Sequence, residues 1–378
     1  MEIGFGSTVL ARGLRGGGID GIGSYTRELG SALIAAKLAR LTPVSFGAPI
    51  PAGLLPGAAP GVVLRRYAPM AGVSASLPVA FPGTRGLARA IDLYHSTDHR
   101  VPRLRGVPVL ATVMDAIPLS HPQWIDQRWR GLKAWLWRRS TQWADHVVTI
   151  SEYSRRQIVE HFGVPESEVT VIPLGVGERH FEPVSAEVRA RVRERYGLPP
   201  QYFLFVGTLQ PRKNLERVLE AHRRLPGAVR REFPLVLVGR AGWNCEALVE
   251  ELNAEGATGA VRWLQYLPDT EVQALMQGGR ALVFPSLCEG FGLPVVEAFA
   301  AGLPVITSST TALPEVAGDA ALLVDPEDTD AIAQSMQRLA EDAELVADLR
   351  DRGRERVRQY RWDTCARMTA EVYARLAG

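Results

Sequence analysis

Two glutamates separated by seven residues, Glu289 and Glu297, bracket the segment of this sequence best suited to hold a polar ligand. Between them runs Gly290-Phe291-Gly292-Leu293-Pro294-Val295-Val296. The apolar run 281–284 ahead of them has the composition of a buried parallel strand. Gly290 and Gly292 permit a tight turn. Pro294 suits the first turn of a helix, where a missing N–H costs nothing, so a helix over about 295–301 is expected. Glu289 then sits at the mouth of a sheet beside the N–H donors of a helix start, with Glu297 about a turn further on. Such donors favour an anionic or polar group, and flanking carboxylates can grip the hydroxyls of a sugar or a ribose. From these residues alone, a plain helix start with surface glutamates is the alternative.

A second cluster is cationic. The apolar run 202–206 reads as a strand and ends in Gly207-Thr208-Leu209-Gln210-Pro211-Arg212-Lys213-Asn214. Of 43 basic residues only Lys37, Lys133 and Lys213 are lysines. Arginine offers a planar fork and lysine a point charge; together they suit a diphosphate and can stabilise it as a leaving group. An ordinary basic loop is again the alternative. A third candidate is the glycine-rich stretch 13–23, with Gly17 and Gly18, between a first strand at 3–5 and a helix over about 24–39. Strand, glycine loop and helix can cradle phosphate, although the gap is too long for a dinucleotide fingerprint. His95, Asp98 and His99 follow a strand near 92–96, and Asp115 follows one at 109–114. Ligands of open α/β sheets sit at such strand ends, which makes these residues acceptor-side candidates.

These groups need an alternation of strands and helices to position them, and the sequence supplies it in both halves. A length of 378 residues predicts two domains, and 46% apolar residues support real cores. The net charge of +2 speaks against a nucleic-acid binder. Cys245, Cys288 and Cys365 are few, odd in number and far apart, which points to a reducing compartment without disulfides. No signal peptide, spanning segment or metal-ligand spacing is read, so a cytoplasmic protein without metal or cofactor is expected. An Asp-x-Asp at Asp328-Thr329-Asp330 precedes a periodic helical run and reads as a helix cap rather than a metal site. Residues 47–90, rich in Gly, Pro and Ala, read as irregular loops with one strand near 62–64. The domain boundary is placed near 180, giving 1–180, 181–360 and a last helix 361–378.

Glu-Gly-Phe-Gly-Leu-Pro at 289–294 with Glu297, Gly207-x-x-x-x-Arg212-Lys213 and Gly21-Ile22-Gly23-x-Tyr25-Thr26-Arg27-Glu28-Leu29 together resemble the retaining glycosyltransferases of family 4. The resemblance spans most of the chain. It implies the GT-B fold, α/β with two Rossmann-like doubly wound domains facing across a cleft, and a last helix that crosses back to the first domain. It also implies roles for individual residues. The second domain takes a nucleotide-diphosphate sugar: Arg212 and Lys213 on the diphosphate, Glu297 on the ribose, Glu289 and the amides of Gly290, Phe291, Gly292 and Leu293 on the transferred sugar. The backbone around Tyr266 and Leu267 contacts the base. Gly207 and Gly239 belong to the same donor site, and Gly17 and Gly18 face the diphosphate from the first domain. The acceptor hydroxyl is expected near His95 and Asp115. Met114 stands where the family usually has a histidine that contacts the donor sugar; methionine cannot make a strong hydrogen bond.

What the resemblance implies is a hexosyl transfer, with mannose from GDP-mannose the first choice, to a glycan or lipid-linked acceptor of cell-surface polysaccharide synthesis. dTDP-rhamnose and UDP-sugar donors are alternatives, as are a nucleotide-sugar 2-epimerase and a catalytically silent carbohydrate-binding relative. Five of the eight tryptophans fall between Trp124 and Trp143. A helical wheel puts Trp129, Leu132, Leu136 and Trp143 on a core face, and Trp135 and Trp137 among Arg128, Arg130, Lys133, Arg138 and Arg139. That helix reads either as a packed helix with a solvated basic face or as a peripheral contact with an anionic membrane.

Overall fold

The computed structural model describes residues 1–16, 18–124, 129–256 and 258–378. The chain divides into two compact units, 1–175 with 361–378, and 176–360. Residues 176–180, placed before the boundary in the sequence reading, group with the second unit, and the last helix groups with the first.

Unit 1 is built on β1 (Glu2–Gly6), β2 (Arg40–Phe46), β3 (Val62–Leu64), β4 (Leu93–Ser96), β5 (Val109–Thr112), β6 (His146–Thr149) and β7 (Val169–Val171). They form one parallel sheet in the order β3-β2-β1-β4-β5-β6-β7. Unit 2 carries β8 (Phe203–Val206), β9 (Leu235–Val238), β10 (Val261–Trp263), β11 (Ala281–Phe284), β12 (Val305–Ser308) and β13 (Leu322–Val324), in the order β10-β9-β8-β11-β12-β13. Its central strands are apolar throughout and buried on both faces, as a parallel sheet covered by helices requires. In each sheet the strand order reverses beside the first strand of the unit, the topological switch point where such folds bind ligands.

Several local expectations are corrected. A helix, Thr8–Arg15, occupies what reads as the start of the glycine loop. The following helix begins at Gly21 rather than near 24, because Asp20 caps it: Asp20 Oδ1 accepts from Gly23 N at 2.8 Å. The segment 47–90 contains helices Tyr67–Ser76 and Arg85–Ala90 besides its strand. The tryptophan helix, Arg130–Thr141, buries only part of the face the wheel assigns. Leu136, Trp137 and Trp143 pack on the core of unit 1, with Trp137 edge-on to His99 and Trp143 edge-on to Phe81. Trp129 (67% exposed), Leu132 (57%) and Trp135 (45%) face solvent. Trp129 has left-handed backbone (φ 61°) and stands at the N-cap of this helix. Arg128 lies outside the described residues.

The final helix, Trp362–Ala377, is fastened to unit 1 by a buried polar chain. Tyr373 Oη lies 2.6 Å from His95 Nδ1, His95 Nε2 lies 2.7 Å from Thr112 Oγ1, and Thr112 Oγ1 lies 2.9 Å from Tyr25 Oη. His95 is fully buried, and burial pulls its pKa down to about 3. The unfolded chain therefore binds a proton at this residue between pH 6.5 and 3 that the folded chain refuses. Stability from this source is complete above pH 6.5 and drains away as pH falls. We expect urea unfolding to lose roughly 2 kcal/mol from His95 between pH 6.5 and 5. His99, His146 and His222 share the direction, so the comparison is with His95→Gln. That variant should show a shallower acid slope; an unchanged slope would contradict the assignment.

Candidate functional site

The C-terminal edge of the unit 2 sheet gathers most of the residues singled out above. Reading β10, β9, β8 and β11 in order, the segments that leave the strands carry Tyr266 and Leu267, Gly239 and Arg240, Gly207 to Lys213, and Glu289 to Leu293. Gly239 is dictated by backbone approach: its φ is 154°, and a Cβ there would lie 1.9 Å from the Gly207 carbonyl oxygen. Side by side, the two glycines let the β8 and β9 exits run close together.

Beyond Gly207 the chain forms a 3-10 turn, Pro211–Lys213, closed by Asn214 in left-handed conformation (φ 62°). Asparagine tolerates that region better than most residues. Asn214 Nδ2 donates to the carbonyls of Pro285 (2.9 Å) and Pro326 (2.6 Å), and Leu287 N donates to Arg212 O (2.8 Å). The turn is thereby bound to the segment leaving β11. Here the two charged clusters meet. Lys213 Nζ is 2.6 Å from Glu289 Oε1, and Arg212 Nη1 is 2.8 Å from Glu289 Oε2 and 3.1 Å from Cys288 O. Lys213 and Glu289 are both buried, and the Phe284 ring lies 4.6 Å from the ammonium. Burial alone would raise the Glu289 pKa; the charges of Lys213 and Arg212 outweigh it and hold the carboxyl below its ordinary range. Burial also pulls the Lys213 pKa down, against the opposing pull of Glu289. Two cations and one carboxylate leave a net positive centre. It faces the start of helix Leu293–Ala300, where Gly292 sits at φ 103°. An anion of high charge density is the ligand such a centre fits.

Glu297, on that helix, is tuned the other way. Its side chain is a quarter exposed, and its Oε1 lies 3.8 Å from His180 Nε2. That nitrogen also accepts from Arg179 Nε at 3.4 Å, while Arg179 pairs with Asp269 at 2.6 Å. Desolvation pushes the Glu297 pKa up to about 7, with Arg179 only partly offsetting it. This carboxyl is thus near its midpoint at neutral pH, able to accept from hydroxyls or donate to them.

The remaining candidates fare differently. Leu267 is buried while the Tyr266 ring is exposed. Phe291 is buried edge-on to Tyr360, so it shapes the turn from below. In unit 1, His95 is corrected from a reactive candidate to a structural one: it is buried and both ring nitrogens are engaged by Tyr373 and Thr112. Asp98 is held by Arg100, through its guanidinium at 2.7 Å and its backbone N at 2.7 Å. Asp115 is half-buried and accepts from Ile117 N at 2.9 Å. Gly18 folds back on the preceding helix, its N donating to Gly13 O at 3.1 Å; Gly17 lies outside the described residues. Asp328 caps helix Thr329–Glu341, its Oδ1 accepting from Ala331 N at 3.0 Å. Sequence reasoning missed the Phe284 ring beneath Lys213, the Arg179–His180 group around Glu297 and the Asn214 clamp. Only the clamp left a signal, an asparagine directly after Arg-Lys.

The two glutamates should respond to neutralisation in opposite directions. Glu289→Gln leaves two cations close together and is expected to cost roughly 3 kcal/mol in urea unfolding at pH 8. Glu297→Gln removes a carboxyl whose ionisation burial penalises. Because its folded pKa is raised, the stability it lends is complete below pH 4.5 and lost as pH rises through 7. The variant should therefore be more stable than wild type at pH 8 by roughly 1–3 kcal/mol. A destabilised Glu297→Gln would show a purely structural carboxylate.

The chain matches "Glycosyltransferase Family 4" over residues 19–178 and "Glycosyl transferases group 1" over 189–356. It is 35% identical over 228 residues to the O-antigen chain mannosyltransferase B of Escherichia coli, covering 60% of each chain. It is 32% identical over 284 residues to the MMP alpha-(1->4)-mannosyltransferase of Mycolicibacterium hassiacum, covering 71% of this chain and 65% of the relative. The chain thus spans less than two thirds of the length of either relative. In structure it resembles Anabaena HepE, solved with UDP and glucose, with a TM-score of 0.76 at 18% identity over the whole of both chains, a likeness of fold. Two parallel-sheet α/β units with such neighbours are the GT-B fold, and the chain belongs to the glycosyltransferases that these two family descriptions cover.

Proposed function

We propose that the chain transfers a hexose from a nucleotide-diphosphate sugar to a saccharide acceptor, with retention at the anomeric carbon and without a metal. The observation that carries this reading is the Arg212–Lys213–Glu289 centre, its lysine and glutamate buried, at the strand ends of β8 and β11. Breaking a sugar–phosphate bond leaves negative charge on the departing diphosphate. Arg212 and Lys213 stand fixed before the reaction begins, so they stabilise that charge without reorganising. Glu289 holds the pair and meets the sugar beside the Gly290 to Leu293 amides. Glu297 takes the ribose hydroxyls. The leaving phosphate accepts the proton of the attacking hydroxyl on the same face, so the reaction asks for no separate general base. Mannose is the first choice, because both curated relatives described above are named mannosyltransferases; the donor is then GDP-mannose and the product a cell-surface polysaccharide. Incubation with labelled GDP-mannose, UDP-glucose and dTDP-rhamnose, each with a lipid-linked saccharide acceptor, identifies the donor. NMR of the product reports its anomeric configuration. Lys213→Ala is expected to reduce transfer at least about tenfold; near-normal turnover would contradict its role. Donor conversion without acceptor would favour an epimerase.

An acceptor carried on a lipid calls for a membrane surface, and the helix Arg130–Thr141 supplies the chemistry for one. Trp129, Leu132 and Trp135 are exposed beside Arg130, Arg138 and Arg139, the combination of interfacial aromatics and cations that suits anionic headgroups. No helix of the described residues is long and apolar enough to cross a membrane. The protein should float with anionic vesicles and not with zwitterionic ones, and Leu132→Ser with Trp135→Ser should weaken flotation. Recovery of the wild type in the soluble fraction with both vesicle types would contradict this contact.

A further inference from the structure

Arg240 and Tyr266 form a pair that neither the fold nor the centre around Lys213 requires. β9 and β10 run parallel with Leu237 opposite Trp263, so Arg240 and Tyr266 stand three residues beyond a register match, on neighbouring strand exits. The Arg240 guanidinium carbon lies 4.2 Å from the centroid of the Tyr266 ring. Both side chains are exposed, the tyrosine at 56%. Their backbones are nevertheless firmly set. Leu209 N donates to Arg240 O at 2.9 Å, Gly239 N to Gln265 O at 2.7 Å, and Trp263 Nε1 to Gly239 O at 2.9 Å. Among the described residues no carboxylate pairs with the Arg240 side chain, whereas Arg179, Arg223 and Arg224 each have at least one. A cation stacked on an exposed ring, on a rigid backbone, is an oriented donor fork open to a ligand.

Its position fits one part of a nucleotide. Neighbouring strands lie about 4.8 Å apart, so the β10 exit is about 10 Å from the β8 exit, which leads to Arg212 and Lys213. A nucleoside separates its base from its phosphates by a comparable reach. We propose that Arg240, oriented by Tyr266, reads the base of the bound nucleotide and selects guanine. Guanine presents two acceptors, O6 and N7, on one edge, and these match the arginine fork. Adenine places an amino donor where O6 would be, uracil offers a single acceptor, and cytosine offers a donor. The Tyr266 face can stack on any base, so it adds affinity without preference, while Arg240 adds the preference. This inference rests on the nucleotide reading of the site and goes beyond it by naming the side chain that chooses the base.

Calorimetric titration with GDP, ADP and UDP tests it in wild type, Arg240→Gln, Tyr266→Ala and Lys213→Ala. Wild type should bind GDP about 5- to 150-fold more tightly than the other two, the range of one good bidentate contact. Arg240→Gln should remove the lead of GDP by weakening it and leaving UDP unchanged, and a gain by ADP would support the same position, since glutamine pairs with adenine. Tyr266→Ala should weaken all three by about tenfold, and Lys213→Ala should weaken all three without changing their order. A full GDP preference retained in Arg240→Gln, or a wild type that binds the three alike or prefers UDP, would overturn the role of Arg240 and leave the nucleotide site standing. A wild type that binds none of them would overturn both.

Discussion

Lys213, Arg212 and Glu289 share a place where water screens them little, and the rest of unit 2 is arranged around that fact. Removing one ion from water costs several kcal/mol even after relaxation, and only close, well-directed partners offset it. The contacts here are short and use both carboxylate oxygens. They also join two segments far apart in sequence, the turn after β8 and the segment after β11, whose strands pair directly. The Asn214 clamp and the Leu287–Arg212 backbone bond hold the same two segments without charge. An apolar pairing of equal volume would serve stability as well or better. A buried lysine–glutamate pair with an arginine at its edge makes more sense as a preset electrostatic field than as a brace.

That field explains why the neighbouring carboxyls differ. Glu289 is kept ionised by the two cations it grips, whereas Glu297, eight positions on, lacks a cation at such short range and drifts towards neutrality. One serves as a fixed charge and the other as an adjustable hydrogen-bonding group. Groups whose environments push their pKa values apart are a mark of a working site. Desolvation makes the ionised Glu297 a cost to stability above neutral pH.

How much of this was legible depended on distance along the chain. The unit 2 strands are short apolar runs followed at once by the candidate residues, so strand, turn and candidate could be read together around Gly207, Gly239 and Glu289. The contact between Lys213 and Glu289 could not, since it spans 76 positions and depends on β8 and β11 lying side by side. His95 shows the limit more sharply. At a strand end it reads as reactive, and only Tyr373, 278 residues later, shows it to be sealed in. Helix Tyr67–Ser76 was hidden by Pro69, Gly72 and serines, weak formers that tertiary packing overrides. In the tryptophan helix the wheel places Leu136 and Trp143 on the core as observed, but not Leu132 and Trp137, because which flank packs is set by partners such as His99 that lie far along the chain.

The central claim is that unit 2 holds a prebuilt site for a nucleoside diphosphate, and thermal unfolding with and without nucleotide tests it most directly. A ligand that binds only the native state stabilises it by about 2.7 kcal/mol at a concentration one hundred times its dissociation constant. The account predicts a clear rise in Tm with at least one nucleoside diphosphate, lost in Lys213→Ala. An unchanged Tm with GDP, UDP, dTDP and ADP alike would contradict it.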